Sequence, residues 1–205
     1  MSAMDGQRLT AEQRDWAESS EVHGPNFAAD GEHRIRLIIF GAVPLGAALS
    51  RVARTIGWTA YVVDPRERFA RADLFPEAER VLVAWPSEAI AELGGLDELT
   101  AVAALTHAPE LDDGALMLAL RSPAFYVAAM GSRRTQGRRR ERLLAGGVTE
   151  EQLARLHGPA GLDLGGTTAG EAALAILAEA VAELHERDGG RLTTSANAIH
   201  VEGRP

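Results

Sequence analysis

Ile35-Arg36-Leu37-Ile38-Ile39-Phe40-Gly41-Ala42-Val43-Pro44-Leu45-Gly46 decides the fold. An apolar run enters a glycine turn, and the turn opens into Ala47-Ala48-Leu49, a helix-forming segment. Buried parallel strand, phosphate loop and helix N-terminus follow one another in this order in the dinucleotide fingerprint G-x-G-x-x-G. Gly41 suits the tight turn and Gly46 close helix–strand packing. Val43 stands where the middle glycine would let a pyrophosphate approach, and Pro44 has no N–H to offer it. Two readings of the turn stay open: an anion site on the remaining N–H groups of the helix start, or a purely structural joint.

Outward from this turn, strand and helix alternate. A helix over 45–56 closes at Gly57, and 58–63 reads as a second strand ending at Asp64-Pro65-Arg66. Further strands are expected over 80–84, 101–105 and 125–130, with helices over 87–93 and 109–120 between them. On the second of these helices Leu111, Ala115, Leu118 and Ala119 are spaced for one buried face. Near-continuous apolar strands joined by helices predict an α/β fold, a Rossmann-like doubly wound parallel sheet. Extra C-terminal helices follow: 133–144, a short one from the capping box Thr149-Glu150-Glu151-Gln152 to His157, and a last one capped at Thr168. On the last helix Leu174, Leu177, Val181 and Leu184 form the expected apolar stripe, while Glu179, Glu183 and Glu186 face water. The domain runs over 34–188. It is preceded by a flexible arm, 1–33, with room for a short helix through Trp16, and followed by a tail, 189–205.

Composition narrows the chemistry. The 205 residues are 46% hydrophobic and 24% charged, ordinary for a globular domain, with a net charge of −8 that argues against nucleic acid as partner. There is no cysteine and no lysine, so disulfides, thiolate chemistry, a Walker A lysine and Schiff bases are excluded. No apolar run is long enough for a membrane span and no signal-peptide pattern opens the chain, so a cytoplasmic location is expected. No His/Asp spacing of a metal site is present.

Several residues carry candidate binding chemistry. Asp64 ends the second strand eighteen residues after Gly46, close to the place of the acid that binds a ribose hydroxyl; its structural alternative is a turn residue before Pro65. Arg66 faces a ribose phosphate or solvent. His107 ends the fourth strand on the ligand edge, with Asp112 and Asp113 behind it. Gly131-Ser132-Arg133-Arg134 repeats the strand–glycine–helix logic with a hydroxyl and two guanidiniums, suited to an oxyanion. The arginines at 138–142 read as a solvated face. The glycine-dense stretch from His157 to Thr168 is either a loop whose backbone approaches a ligand or a crossing over the sheet.

Taken together, these segments resemble the xanthine dehydrogenase accessory protein family (XdhC/CoxI), in its C-terminal Rossmann domain. The resemblance rests on the stretch from Leu37 to Gly46, on Val62-Val63-Asp64-Pro65-Arg66 with Phe69 and Phe75-Pro76, and on Leu105-Thr106-His107. It rests further on Met130-Gly131-Ser132-Arg133-Arg134-Thr135 and His157-Gly158-Pro159-Ala160-Gly161-Leu162-Asp163-Leu164-Gly165, and Ala198-Ile199-His200 is similar to the family's usual ending. It implies a non-catalytic helper that binds molybdenum cofactor (molybdopterin) and assists its insertion into a xanthine dehydrogenase or CO dehydrogenase-type molybdenum hydroxylase. It also implies a homodimer, the client enzyme and a sulfurtransferase as partners. Carried over residue by residue, it points to Gly41, Gly46, Asp64, His107, Gly131, Ser132, Arg133, Arg134, His157 and Asp163. The chain departs from the family at Val43, at Ala108, and in having only 1–33 where a separate N-terminal domain is usual; two readings of that departure stay open, a half-protein whose partner is encoded separately and a diverged relative that has lost the chaperone task. Two other functions compete. An NAD(P)-dependent oxidoreductase is motivated by Asp64, with His107 and Tyr126 as its possible polarising acids. The third is a structural partner whose sheet binds nothing.

Overall fold

The computed structural model describes residues 34–195. The expected arm over 1–33, with its helix through Trp16, and the family-like ending at Ala198-Ile199-His200 lie outside the described residues. Among the described residues six parallel strands form one sheet: β1 (Arg36–Phe40), β2 (Thr59–Val63), β3 (Arg80–Leu82), β4 (Thr100–Ala104), β5 (Tyr126–Ala129) and β6 (Leu156–His157). Their spatial order is β3-β2-β1-β4-β5-β6, the doubly wound Rossmann arrangement. The register runs straight across the centre, Leu37 opposite Ala60 of β2 and Ala101 of β4.

After Arg36 the run in β1, Leu37 to Phe40, is continuously apolar because both faces of the sheet are covered. Side chains alternate across a strand. Leu37 and Ile39 therefore enter one core with Leu49, Val62, Ile176 and Leu177, and Ile38 and Phe40 enter the other with Val63, Val102, Leu116 and Leu143. Helices α1 (Pro44–Thr55) and α6 (Ala169–Leu184) cover the first face. Helices α2 (Pro86–Glu92), α3 (Pro109–Leu120) and α4 (Arg133–Ala145) cover the second, and α5 (Glu150–Leu153) leads into β6. Each fully buried Leu or Ile contributes about 1.5–3 kcal/mol.

Pro44 occupies the first turn of α1, as expected, and Gly46 lets the helix close on the strand: a Cβ there would stand 3.0 Å from Gly41 O. Gly41 turns with φ +122°, and a Cβ on it would lie 2.6 Å from Thr106 Cγ2. Thr149 and Thr168 both form the expected capping boxes.

Five expectations are corrected. The third strand stops at Leu82 rather than at residue 84, because β2 ends at Val63 and Val83, with no neighbour beyond it, is half exposed. The short helix does not reach His157: the chain leaves α5 so that Leu156 and His157 pair with Val127 and Ala128, giving the sixth strand. On α3, Leu118 points outward while Leu116 and Leu120 are buried, as this helix packs the sheet and its two neighbouring helices together. On α6, Leu174 is exposed, and Ala173, Ile176 and Ala180 make the contact instead. Glu179 of the same helix does not face water; it is hydrogen-bonded inside.

Candidate functional site

Strands β1 and β4 are neighbours, yet their connections leave in opposite directions across the sheet, to α1 and α3. Loops diverging from a switch of this kind leave a crevice at the carboxyl ends of the strands. An open cleft of about 490 Å³ lies there. Val43 and Leu45 of the turn into α1 form one wall, and Leu105, Thr106, His107 and Ala108 after β4 form another. Arg66, after β2, and Met130, after β5, complete it. The lining is mainly apolar, with Arg66, Thr106 and the exposed His107 as its polar residues.

Asp64 lies immediately beside the cleft, fully buried. Its Oδ1 accepts from Arg66 N (3.0 Å) and Arg66 Nε (2.8 Å). Its Oδ2 accepts from Ala42 N (2.9 Å) and Arg66 Nη2 (2.7 Å). Burial pushes this carboxyl upward, but the Arg66 fork and the two backbone amides outweigh it and hold the group below its ordinary 3.8. A carboxylate has about four acceptor sites, and all are occupied. Arg66 in turn stacks on the Phe69 ring, 4.6 Å from its centroid.

The turn Gly41–Gly46 is similarly self-satisfied. Gly41 N donates to Val63 O (2.8 Å), Val43 N to Gly41 O (3.0 Å) and Gly46 N to Val43 O (2.8 Å). Ala42 N is held by Asp64 and Pro44 has none, which leaves the Leu45 N–H as the donor this turn still offers. A diphosphate cradle needs several.

Beneath the cleft runs a buried network that ties the ends of β4 and β5. Thr106 donates from Oγ1 (2.6 Å) and N (3.2 Å) to Asp112 Oδ1. Asp112 Oδ2 accepts from Arg139 Nη2 at 3.1 Å, with both side chains 2% exposed. Arg139 Nη1 donates to Met130 O (3.0 Å) and to Gln136 Oε1 (2.7 Å), and Gln136 Nε2 donates to Ala129 O (2.9 Å). Burial pushes the Asp112 carboxyl above its ordinary 3.8, although Thr106 and Arg139 draw it down. The expectation of a solvated arginine face over 138–142 therefore fails at Arg139, and Arg142 is bound to Asp113. A sequence signal existed: Arg139 lies four residues before the buried Leu143, on the same helix face.

Gly131 turns with φ +126° into α4, where Ser132 caps the helix by accepting from Thr135 N (3.3 Å). Arg133 and Arg134 are exposed and pair with no carboxylate among the described residues. Met130 carries the cleft lining up to this helix start.

The remaining candidates lie elsewhere. His157 is not in the cleft lining. Its ring packs 4.7 Å from that of Tyr126, and its Nδ1 is 3.5 Å from Glu179 Oε1. Glu179 Oε2 accepts from Tyr126 OH (2.6 Å) and Gly161 N (2.8 Å). Burial and the neighbouring Glu179 raise the Tyr126 phenol far above its ordinary value. Tyr126 begins β5, at the opposite end of the strand from Met130, so it is no acid for a ligand in the cleft. The loop after His157 uses its N–H groups internally: Ala160 to Ala129 O, Leu162 to Ala175 O, and Thr167 and Thr168 to Glu171. It is a crossing laid on α6, and Asp163 stands exposed on it. Among the described residues no group of three or more His, Asp or Glu is placed to hold a metal ion, and no helix is long and apolar enough to cross a membrane.

Comparison with known proteins gives a consistent picture. The family profile of the XdhC Rossmann domain matches residues 37–180. A curated protein of Bacillus subtilis (strain 168), named as a probable subunit of xanthine dehydrogenase, is 29% identical over 150 residues, 73% of this chain and 43% of that protein. The uncharacterized protein YqeB of Escherichia coli (strain K12) is 30% identical over 157 residues, 77% of this chain and 29% of that one. A crystal structure of a xanthine dehydrogenase from Bacillus halodurans is 26% identical with a TM-score of 0.64, over 80% of this chain and 45% of that chain. The chain thus spans less than half the length of the curated relatives it matches.

Proposed function

The chain belongs to the XdhC Rossmann-domain family, and on that basis we propose that it binds molybdenum cofactor and assists its delivery to a xanthine dehydrogenase-type molybdenum hydroxylase. The observation that carries this reading is the switch-point cleft, with apolar walls and one fixed cation, Arg66, at its rim. Molybdopterin is a reduced pyran-fused pterin with a dithiolene and a phosphate, and the lining offers partners for its ring system and its phosphate: Val43, Leu45, Leu105 and Met130 offer apolar contact, Arg66 offers charge and forked hydrogen bonds, and His107 offers a hydrogen bond. The residues hold and shield; nothing in the cleft is arranged as a nucleophile with its base.

The oxidoreductase reading loses ground on geometry. Asp64 has no acceptor site left for a ribose diol, the first turn offers little to a diphosphate, and Tyr126 is remote. A client hydroxylase is the partner this reading requires; a homodimer and a sulfurtransferase partner belong to it as well. The names of the relatives support the link to xanthine dehydrogenase systems.

The test is direct. Purified chain is titrated with molybdopterin released from a molybdoenzyme, following pterin fluorescence, and the loaded protein is offered to cofactor-free client enzyme. Saturable binding with a gain in client activity is expected. Absence of both refutes the reading.

A further inference from the structure

We infer that Arg66 makes the switch-point cleft a seat for a phosphomonoester carried on a heterocyclic ring system, and that the same arrangement turns away a free ribose diol. The inference rests on the cleft being the ligand site proposed above.

Dinucleotide proteins present a carboxylate at the end of the second strand, and its free oxygens take a diol. Here the carboxylate is present, at Asp64, but its four acceptor sites face inward to Ala42 and Arg66. What reaches the cleft is the opposite charge. Nε and one N–H of Nη2 hold Asp64, so three of the five guanidinium N–H groups remain for a ligand. The Arg66 side chain is 40% exposed, and it is held by the carboxylate on one side and the Phe69 face on the other. A guanidinium fixed before binding loses little rotamer freedom when it forms a forked pair with phosphate.

The turn into α1 adds little to this anion site. The Ala42 and Val43 N–H groups are taken and Pro44 has none, so the turn into α1 cannot share out the two charges of a diphosphate. The Thr106 hydroxyl is committed to Asp112 and to Ala108 N. Beyond Arg66, His107 and Thr106, whose hydroxyl is already committed, the lining residues are aliphatic or thioether, which suits contact with the face of a ring system. Two sources share this chemistry: a phosphorylated pterin and a 2′-phosphorylated nucleoside.

Calorimetry on the full chain separates them, using adenosine 2′-phosphate against adenosine and molybdopterin against its dephosphorylated form. Each phosphorylated probe that binds should do so at least about tenfold more tightly than its counterpart, and Arg66→Gln should abolish that ratio. Arg66→Lys keeps a cation beside Asp64 but loses the fork; it serves if Arg66→Gln does not fold, and the ratio should fall at least about threefold. Asp64→Asn leaves Arg66 charged but unaimed, and it too should collapse the ratio. A merely structural Asp64 would lower the melting temperature and leave the ratio intact, overturning its part in aiming Arg66. Selective binding of adenosine 2′-phosphate without molybdopterin binding upholds this inference and refutes the cofactor reading. Molybdopterin binding that ignores the phosphate, or a ratio that survives in Arg66→Gln, overturns the inference and leaves the cofactor reading standing. Binding of neither phosphorylated probe overturns both.

Discussion

Replacing Arg139 with methionine attacks the buried network beneath the cleft, which meets the lining at Met130. Methionine fills the space of the arginine's aliphatic stem, but three acceptors lose their donor: Asp112 Oδ2, Met130 O and Gln136 Oε1. The carboxylate is the costly one. Asp112 is 2% exposed and would retain only Thr106 as partner. Breaking a buried pair from one side costs about 3–5 kcal/mol. The relief of no longer burying a guanidinium whose Nε has no partner places the expected loss toward the lower end of that range. With a urea dependence of about 2 kcal/mol/M, the midpoint should fall by about 1.5–2 M at pH 8. The loss should depend on pH in a defined sense. Burial already raises the Asp112 carboxyl above its ordinary 3.8, and removing Arg139 raises it further. A folded-state value above the unfolded one means that the charged form weighs against folding at high pH and that the penalty fades as the carboxyl is protonated. The difference between wild type and variant, measured at each pH by fluorescence and circular dichroism, should therefore shrink from pH 8 toward pH 5. Adding Asp112→Asn, which keeps an acceptor for Thr106 and removes the charge, should recover part of the stability. A loss below about 1 kcal/mol at pH 8, or a loss that does not change with pH, would show that the pair is not the buried strut described here.

Other changes test other joints. Gly41→Ala places a Cβ 2.6 Å from Thr106 Cγ2 at φ +122° and should cost about 2–4 kcal/mol in thermal or urea unfolding; a neutral result would refute the close approach of this turn to the end of β4. Tyr126→Phe removes the hydroxyl that donates to Glu179 at 2.6 Å and should cost about 1–3 kcal/mol, with an effect under half that minimum counting against the buried contact. Glu179 feels burial as an upward push, but His157, Tyr126 and Gly161 N outweigh it, so its folded value lies below the ordinary 4.5. Its stabilising contribution is complete above pH 4.5 and is lost as the pH falls through the lower folded value. Glu179→Gln should flatten that acid limb in urea midpoints taken across the window. Val43→Gly by itself should raise NAD affinity by less than about threefold, because Pro44 and the occupied N–H groups remain; calorimetry showing a larger gain would overturn the account of the turn.

The doubly wound sheet was legible in the amino-acid order alone. The run through Phe40, the glycine turn and the alternation that follows are local and periodic, and burial on both faces leaves its mark on Leu37 to Phe40 of β1. The family was legible too, through ordered motifs such as Gly131-Ser132-Arg133-Arg134, and so were the capping boxes at Thr149 and Thr168. Shorter or one-sided features escaped that reading. Leu156-His157 is too brief to show a period, and its pairing with β5 exists only once the chain has folded back. Whether Asp64 offers its oxygens to a ligand or to Arg66 depends on where Arg66 and the Ala42 amide come to rest. Arg139 looks like five of its neighbours on α4 in the sequence, and only the packing of that helix against α3 sets it against Asp112. His157 and Asp163 share a motif, yet folding turns the first toward Tyr126 and Glu179 and leaves the second exposed. Pattern along the chain identifies which residues are apolar, turning or charged; which polar groups are left unsatisfied for a ligand follows only from their partners in three dimensions.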